Sequence, residues 1–199
     1  MPVSPVSPAS PASRSRRLAD VPGDGPPPSF DAVCRAHGSQ IARWAERLGG
    51  PGLDADETVQ EVFLVVARRL PEFRGEALIT TWLFRITTRV LANQRRSARR
   101  RHRWARLTRR IEDLTASDAP GPGDALERRE ASRRFYAALE LLPERYREVL
   151  VLFELEDLGT EEIARLMERP PATIRVWLHR ARTSFIAAWQ QQNQKENGA

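Results

Sequence analysis

Apolar residues recur every three or four positions through most of this chain, the spacing that lines them up along one side of a 3.6-residue helix. Phe30, Val33, His37, Ile41, Trp44 and Leu48 make the first stripe, with Ser29 placed to cap it and GGPG at 49–52 to stop it. The segment DADETVQEVFLVVARRLPEF repeats the pattern with Val59, Val62, Phe63, Val66 and Leu70 in register. Asp54 with Glu57 three residues later reads as a capping box, and Pro71 ends the helix. A third helix carries Ile79, Trp82, Leu83, Ile86 and Val90 inward and runs on into ANQRRSARRRHRWARLTRR. EDLTASDAPGPGD then offers turn formers and no apolar period, as a flexible linker does.

A second helical block follows. ALERREASRRFYAALELL, PERYREVLVLFELEDLG, TEEIARLM and PPATIRVWLHRAR predict about four helices, broken at Pro143, Gly159 and the Pro170-Pro171 pair. No period-two alternation competes, so the expected fold is all-α: two small helical domains joined by a flexible linker. The ends differ in texture. Residues 1–28 hold eight of the 15 prolines with many serines, which predicts a disordered tail, and QQQNQKENGA at 190–199 is expected to fray.

Composition narrows the chemistry. A formal net charge of +6 across 199 residues favours an acidic partner only if the positive charge is clustered, and it is. The single cysteine, Cys34, excludes an internal disulfide framework, and His37, His102 and His179 lack ligand spacing, so no metal or cofactor is expected. No segment has the length of a signal peptide's apolar core or a membrane span, which implies no membrane insertion and a cytoplasmic location.

Three surfaces could carry function. In the last helix Ile174, Trp177, Leu178, Ala181 and Phe185 share the buried face, leaving Ala172, Arg175, Val176, His179 and Thr183 outward, flanked by Arg180 and Arg182. Pro171 suits its first position, and Thr160 is expected to cap the preceding helix with Glu161 and Glu162 at its positive end. Two short helices joined by about three residues have helix-turn-helix geometry. Arg175 could then donate bidentately to guanine, Val176 touch a thymine methyl, and Arg180, Arg182 and His179 reach phosphates, although a solvated basic face would show the same pattern.

The second surface is basic. Arg95, Arg96, Arg99, Arg100, Arg101, Arg103, Arg106, Arg109 and Arg110 fall within 16 residues without an intervening acid. Charges this dense repel one another unless a polyanion is present. Phe73, Arg74 and Trp82 lie upstream, where aromatics beside cations can stack unpaired bases, or simply serve as core. On the third surface, opposite the stripe of the 54–70 helix, Glu57, Gln60, Glu61, Leu64 and Arg68 face outward. One exposed leucine is ordinary, but Leu64 could also anchor a partner helix with Glu57 and Glu61 setting register.

With these residues in view, DADETVQEVFLVVARRLPEFRGEALITTWLFRITTRVLANQRR resembles region 2, and LPERYREVLVLFELEDLGTEEIARLMERPPATIRVWLHRARTSF region 4, of the bacterial sigma-70 superfamily. Two regions with a short linker resemble its extracytoplasmic-function (ECF) branch. The resemblance implies a non-enzymatic sigma factor with region 2 at 29–104, a linker at 105–124 and region 4 at 125–189. It implies that Asp56, Glu57, Gln60, Glu61 and Leu64 bind core RNA polymerase at the clamp helices of its largest subunit, with a further contact to the flap. It implies that Phe73, Arg74, Trp82, Arg85, Arg89, Asn93, Arg95 and Arg96 capture and melt the minus-ten element of promoter DNA. Ala172, Thr173, Arg175, Val176, His179, Arg180 and Arg182 would read the minus-thirty-five element, and an anti-sigma factor is an expected partner.

The chain also departs from the family pattern. Glu168 and Arg169 stand where the turn usually has glycine and an apolar residue, which predicts about 1 kcal/mol of strain if Glu168 is left-handed. Trp177 replaces a frequent arginine, Val176 a frequent serine, and Arg89 a frequent asparagine. Two rival functions make distinct demands. A helix-turn-helix regulator acting without replacing sigma would bind duplex DNA without polymerase. A nucleic-acid-processing enzyme would need a carboxylate cluster for magnesium, for which Asp54, Asp56, Glu57 and Glu61 are the dense candidates.

Overall fold

The computed structural model describes the backbone of residues 28–108 and 124–197, and the side chains of 28–101, 130–192 and 194. Among these residues there are seven α-helices: α1 (Phe30–Gly49), α2 (Ala55–Arg69), α3 (Ile79–Thr108), α4 (Asp124–Glu140), α5 (Glu144–Glu154), α6 (Thr160–Met167) and α7 (Pro171–Asn197). The Pro/Ser-rich tail, most of the linker and the side chains of Arg103, Arg106, Arg109 and Arg110 lie outside the described residues.

Helices α1, α2 and α3 pack on one another as a first bundle. Ser29 Oγ accepts the Ala32 N–H at 3.2 Å, and Asp54 Oδ1 accepts those of Asp56 and Glu57 at 2.9 and 3.0 Å, so both starts are fixed by side-chain caps. Pro71 allows only one 3-10 turn, Leu70–Glu72, after α2. Val33, Ile41, Trp44, Leu48, Val62, Val66, Leu83 and Val90 are buried, whereas Phe30, at the open end of its stripe, stays 39% exposed. Helix α3 buries more than its predicted stripe. Phe84 and Leu91 are also buried, and Phe84 stacks edge-on against Trp44 at 5.1 Å. Trp82, expected inward, is only half-buried.

The second bundle is α4 to α7, with Leu139, Val149, Leu152, Leu158, Ile163, Leu166, Ile174 and Leu178 inside. Its corner between α4 and α5 is held by a buried arginine. Arg147 donates to the carbonyls of Leu139, Glu140 and Leu142 at 2.9, 3.1 and 3.4 Å, filling acceptors that a helix end leaves open. Helix α7 continues through Asn197. The two bundles also touch: α1 packs on α5 and α3 on α6.

Candidate nucleic-acid and polymerase interface

The turn between α6 and α7 sets the geometry of the first surface. The cap of α6 is Gly159 rather than Thr160: Thr160 is already helical, and its hydroxyl donates to Glu161 at 2.9 Å. The Glu162 carboxylate reaches back to accept the Gly159 N–H at 2.9 Å, completing one half of a capping box. A glycine supplies the extended backbone of the cap without a side chain, which is why the hydroxyl one residue later drew the assignment.

At the other end of α6, Glu168 is left-handed, with φ 51° and ψ 52°. Its N–H bonds the Arg165 carbonyl at 3.2 Å and the Arg169 N–H bonds that of Ala164 at 2.9 Å, a Schellman closure built on a residue with a Cβ. The strain expected at Glu168 is therefore present. The Pro170 carbonyl accepts from Thr173 and Ile174 at 2.9 and 3.2 Å, and Pro171 opens α7.

Helix α7 presents the anticipated face. Ile174, Leu178 and Ala181 are buried, Trp177 and Phe185 half-buried, and Ala172, Arg175, Val176, His179, Arg180 and Arg182 exposed, with Thr173 between. Val176 is 48% exposed. The arginines are already partnered. Arg175 Nη2 lies 3.1 Å from Glu161 Oε1, and Arg182 is 2.7 Å from Glu154 and sits over the Phe153 ring at 4.9 Å. Hydrogen bonds from Arg180 and then Arg145 pull the Tyr146 hydroxyl below its usual range, so Arg180 also rests on its own domain. These surface pairs are weak, and a phosphate or base edge can replace them at little cost.

The second surface lies on α3 and the loop before it. The Phe73 and Trp82 rings are 5.2 Å apart and half-buried, with Arg74 exposed beside them. Arg85, Arg89 and Asn93 are exposed one turn apart along α3, and with Glu61 and Trp82 they line a groove of about 580 Å³ against α2. Arg69 and Thr88 complete that groove, and no local signal had singled them out. Arg96 is exposed, its Nε donating to the Ala92 carbonyl at 3.3 Å. Arg95 behaves differently. It donates to the Leu48 carbonyl and lies 3.8 Å from Glu144 of the second bundle, and burial, with Arg147 nearby, lowers its pKa to about 10. In this conformation it faces the seam between bundles.

On α2, Asp56, Glu57 and Gln60 are exposed and Leu64 is 60% exposed. Glu61 is half-buried instead, accepting from Gln94 Nε2 at 2.8 Å, while Gln94 Oε1 accepts from Thr58 at 2.8 Å. Asp54, one candidate for a metal cluster, has its carboxylate engaged as the α2 cap. No group of metal-ligating side chains occurs among the described residues, and none of their helices is long and apolar enough to cross a membrane.

Comparison with known proteins agrees with this layout. Residues 33–101 match the family model described as Sigma-70 region 2, and residues 132–185 match Sigma-70, region 4. The chain is 32% identical over 155 residues to the ECF RNA polymerase sigma factor SigE of Mycolicibacterium smegmatis, covering 78% of this chain and 59% of that one. It is 30% identical over 175 residues to the RNA polymerase sigma-H factor of Pseudomonas aeruginosa, covering 81% and 86%. It is 31% identical over 140 residues to the ECF RNA polymerase sigma-E factor of Escherichia coli K12, covering 68% and 73%. Among solved structures, CnrH in complex with the cytosolic domain of CnrY shares the fold, with a TM-score of 0.52, 22% identity, and coverage of 81% of this chain and 88% of that one. A basic, exposed face on the second helix of a helix-turn-helix, carried by the same chain as a region 2 bundle, has one family reading: this chain belongs to the sigma-70 family, as an ECF RNA polymerase sigma factor.

Proposed function

We propose that this chain binds core RNA polymerase through α2, directs it to a dedicated promoter set, and initiates transcription there. The observation that carries the reading is the outward face of α7, where Arg175 and Val176 project behind a tight turn with Ala172 small enough for close approach. Arg175 is the base reader, Val176 the thymine-methyl contact, and Arg180, Arg182 and His179 the phosphate contacts. Thr173 lies in the first turn of α7, where its hydroxyl offers a further phosphate contact.

Region 2 supplies the other element. Arg74, Arg85, Arg89 and Arg96 hold backbone phosphates near Asn93, and the Phe73–Trp82 pair offers a stacking platform for unpaired bases. Each such stack contributes about 1–3 kcal/mol, enough for a few of them to offset local unpairing. Leu64, with Asp56, Glu57 and Gln60 exposed on the turns before it, anchors α2 to the clamp helices, and Glu61, tied to Gln94, holds the helix in register. Region 4 adds the flap contact. The factor acts in the cytoplasm, and an anti-sigma factor is proposed as a further partner.

In vitro transcription with purified core polymerase on genomic DNA tests this directly. Start sites sharing two upstream elements are expected. Duplex binding by the free protein that is unaffected by polymerase, with no transcript, would favour the stand-alone regulator instead.

A further inference from the structure

Arg145 is exposed near the start of α5, outside the α6–α7 pair, and nothing in its sequence position marks it. Its surroundings do. The guanidinium carbon lies 4.9 Å from the centroid of the neighbouring Tyr146 ring and 5.9 Å from that of Trp177 on α7. A cation within about 6 Å of a ring centroid is attracted by the negative face of the ring. Trp177 is half-buried and Tyr146 only 8% exposed, so both rings are anchored in the domain while the cation over them stays in water.

A second arginine joins it. Arg180, one turn after Trp177 on α7, hydrogen-bonds the Tyr146 hydroxyl, and Arg145 bonds the same oxygen. Two guanidiniums that share one acceptor oxygen stand close together, and like charges at such range repel. No carboxylate offsets them: neither Arg145 nor Arg180 has an ion pair among the described residues. Arg175 and Arg182 on the same helix differ, each being held by an acid, Glu161 and Glu154 respectively.

A phosphate completes this arrangement. Its non-bridging oxygens accept from a guanidinium on each side, and its charge offsets the repulsion between them. Binding there breaks no ion pair, whereas a phosphate reaching Arg182 must displace Glu154. The rings hold Arg145 before a ligand arrives, so little side-chain freedom is lost when one does. Arg180 is exposed on α7. DNA that brings a phosphate to Arg180 therefore brings it to Arg145.

We propose that Arg145 is a further DNA ligand of this factor: with Arg180 it grips one backbone phosphate beside the upstream promoter element, and the Trp177 and Tyr146 rings position it for that contact. This role rests on α7 being the helix that meets the upstream element, as proposed above.

Holoenzyme assembled from the full chain and core RNA polymerase is bound to a labelled promoter fragment, and affinity is followed from about 50 to about 200 mM salt. Arg145→Ala is expected to weaken binding about fivefold on every single-base variant of the upstream element, and to lower the slope of log affinity against log salt by about 1, as one lost phosphate contact does. Trp177→Leu, which removes a ring, should lower the slope as far and add nothing to Arg145→Ala, whereas Trp177→Phe should restore it. Replacing single backbone phosphates by neutral methylphosphonate should show one position whose effect shrinks in Arg145→Ala. A parent-like slope in Arg145→Ala, even with weaker binding, would overturn the phosphate contact, as would a loss confined to particular bases. If Arg180→Ala lowers the slope and Arg145→Ala does not, α7 keeps its promoter role and only the shared grip fails. If Arg175→Ala and Arg180→Ala are both silent, the reading of α7 fails and the grip with it.

Discussion

Arg175 Nη2 and Glu161 Oε1 lie 3.1 Å apart, so the first arginine of α7 is held by the first-turn acid of α6 before any DNA arrives. Thr160 is the largest influence holding the Glu161 carboxyl below its usual range, followed by its own backbone and then Arg175. The pair orients the guanidinium while leaving it exposed. Arg175→Ala is expected to cost about 1–3 kcal/mol at particular upstream bases and little elsewhere. Binding measured across single-base variants of the element checks this, and an equal loss on all of them would make Arg175 a phosphate contact. Glu161→Gln removes a competitor for Arg175 and should tighten DNA binding only slightly.

Glu168 adopts the left-handed conformation that glycine takes without strain, at the C-terminal closure of α6. Glu168→Gly should raise thermal stability by about 0.5–1 kcal/mol, and Glu168→Val should lower it by more. Glu168→Gln keeps the strain and removes only the charge facing Arg85, so its stability should stay near that of the parent. If the Gln and Gly variants shift stability equally, the backbone explanation is wrong.

Leu64 stands 60% exposed on α2, with Glu57 and Gln60 exposed on the turns before it. Leu64→Glu is expected to weaken core-polymerase binding at least about tenfold while leaving the unfolding midpoint nearly unchanged. Unaltered binding by fluorescence anisotropy would remove Leu64 from the docking face.

Glu148 couples stability to pH. Burial, with Glu144 beside it, pushes its carboxyl up to about 7 against the opposing pull of Arg95 and Arg147. The folded protein therefore keeps a proton that the unfolded chain releases near 4.5, and stability falls as pH rises through the window between these values. Glu148→Gln should flatten that slope and be the more stable protein at pH 8 by roughly 1–2 kcal/mol. Parallel midpoint-against-pH curves for the two proteins would show that this carboxyl is not responsible.

Local pattern was enough to read the helices, because which side of a helix is buried depends on spacing within a few turns. Val33, Ile41, Trp44 and Leu48 are buried as their period requires, Ser29 and Asp54 cap as their position requires, and α7 turns Arg175 and Val176 outward. The same pattern failed where one helix meets neighbours on two sides. Phe84 and Leu91 lie off the predicted stripe of α3 and are buried nonetheless.

The polar residues at the seams were beyond it altogether. Arg147 looks like a surface charge until the end of α4 brings three open carbonyls to it. Glu156 looks like a loop acid until α1 arrives from more than 100 residues earlier with Gln40, Arg43 and Arg47. The sequence by itself determined the helices, their outward faces and the family they compose, since these follow from short-range periodicity and motif. Only the tertiary structure decided which charges are buried and paired, because that depends on long-range chain closure, and no residue's immediate neighbours encode it.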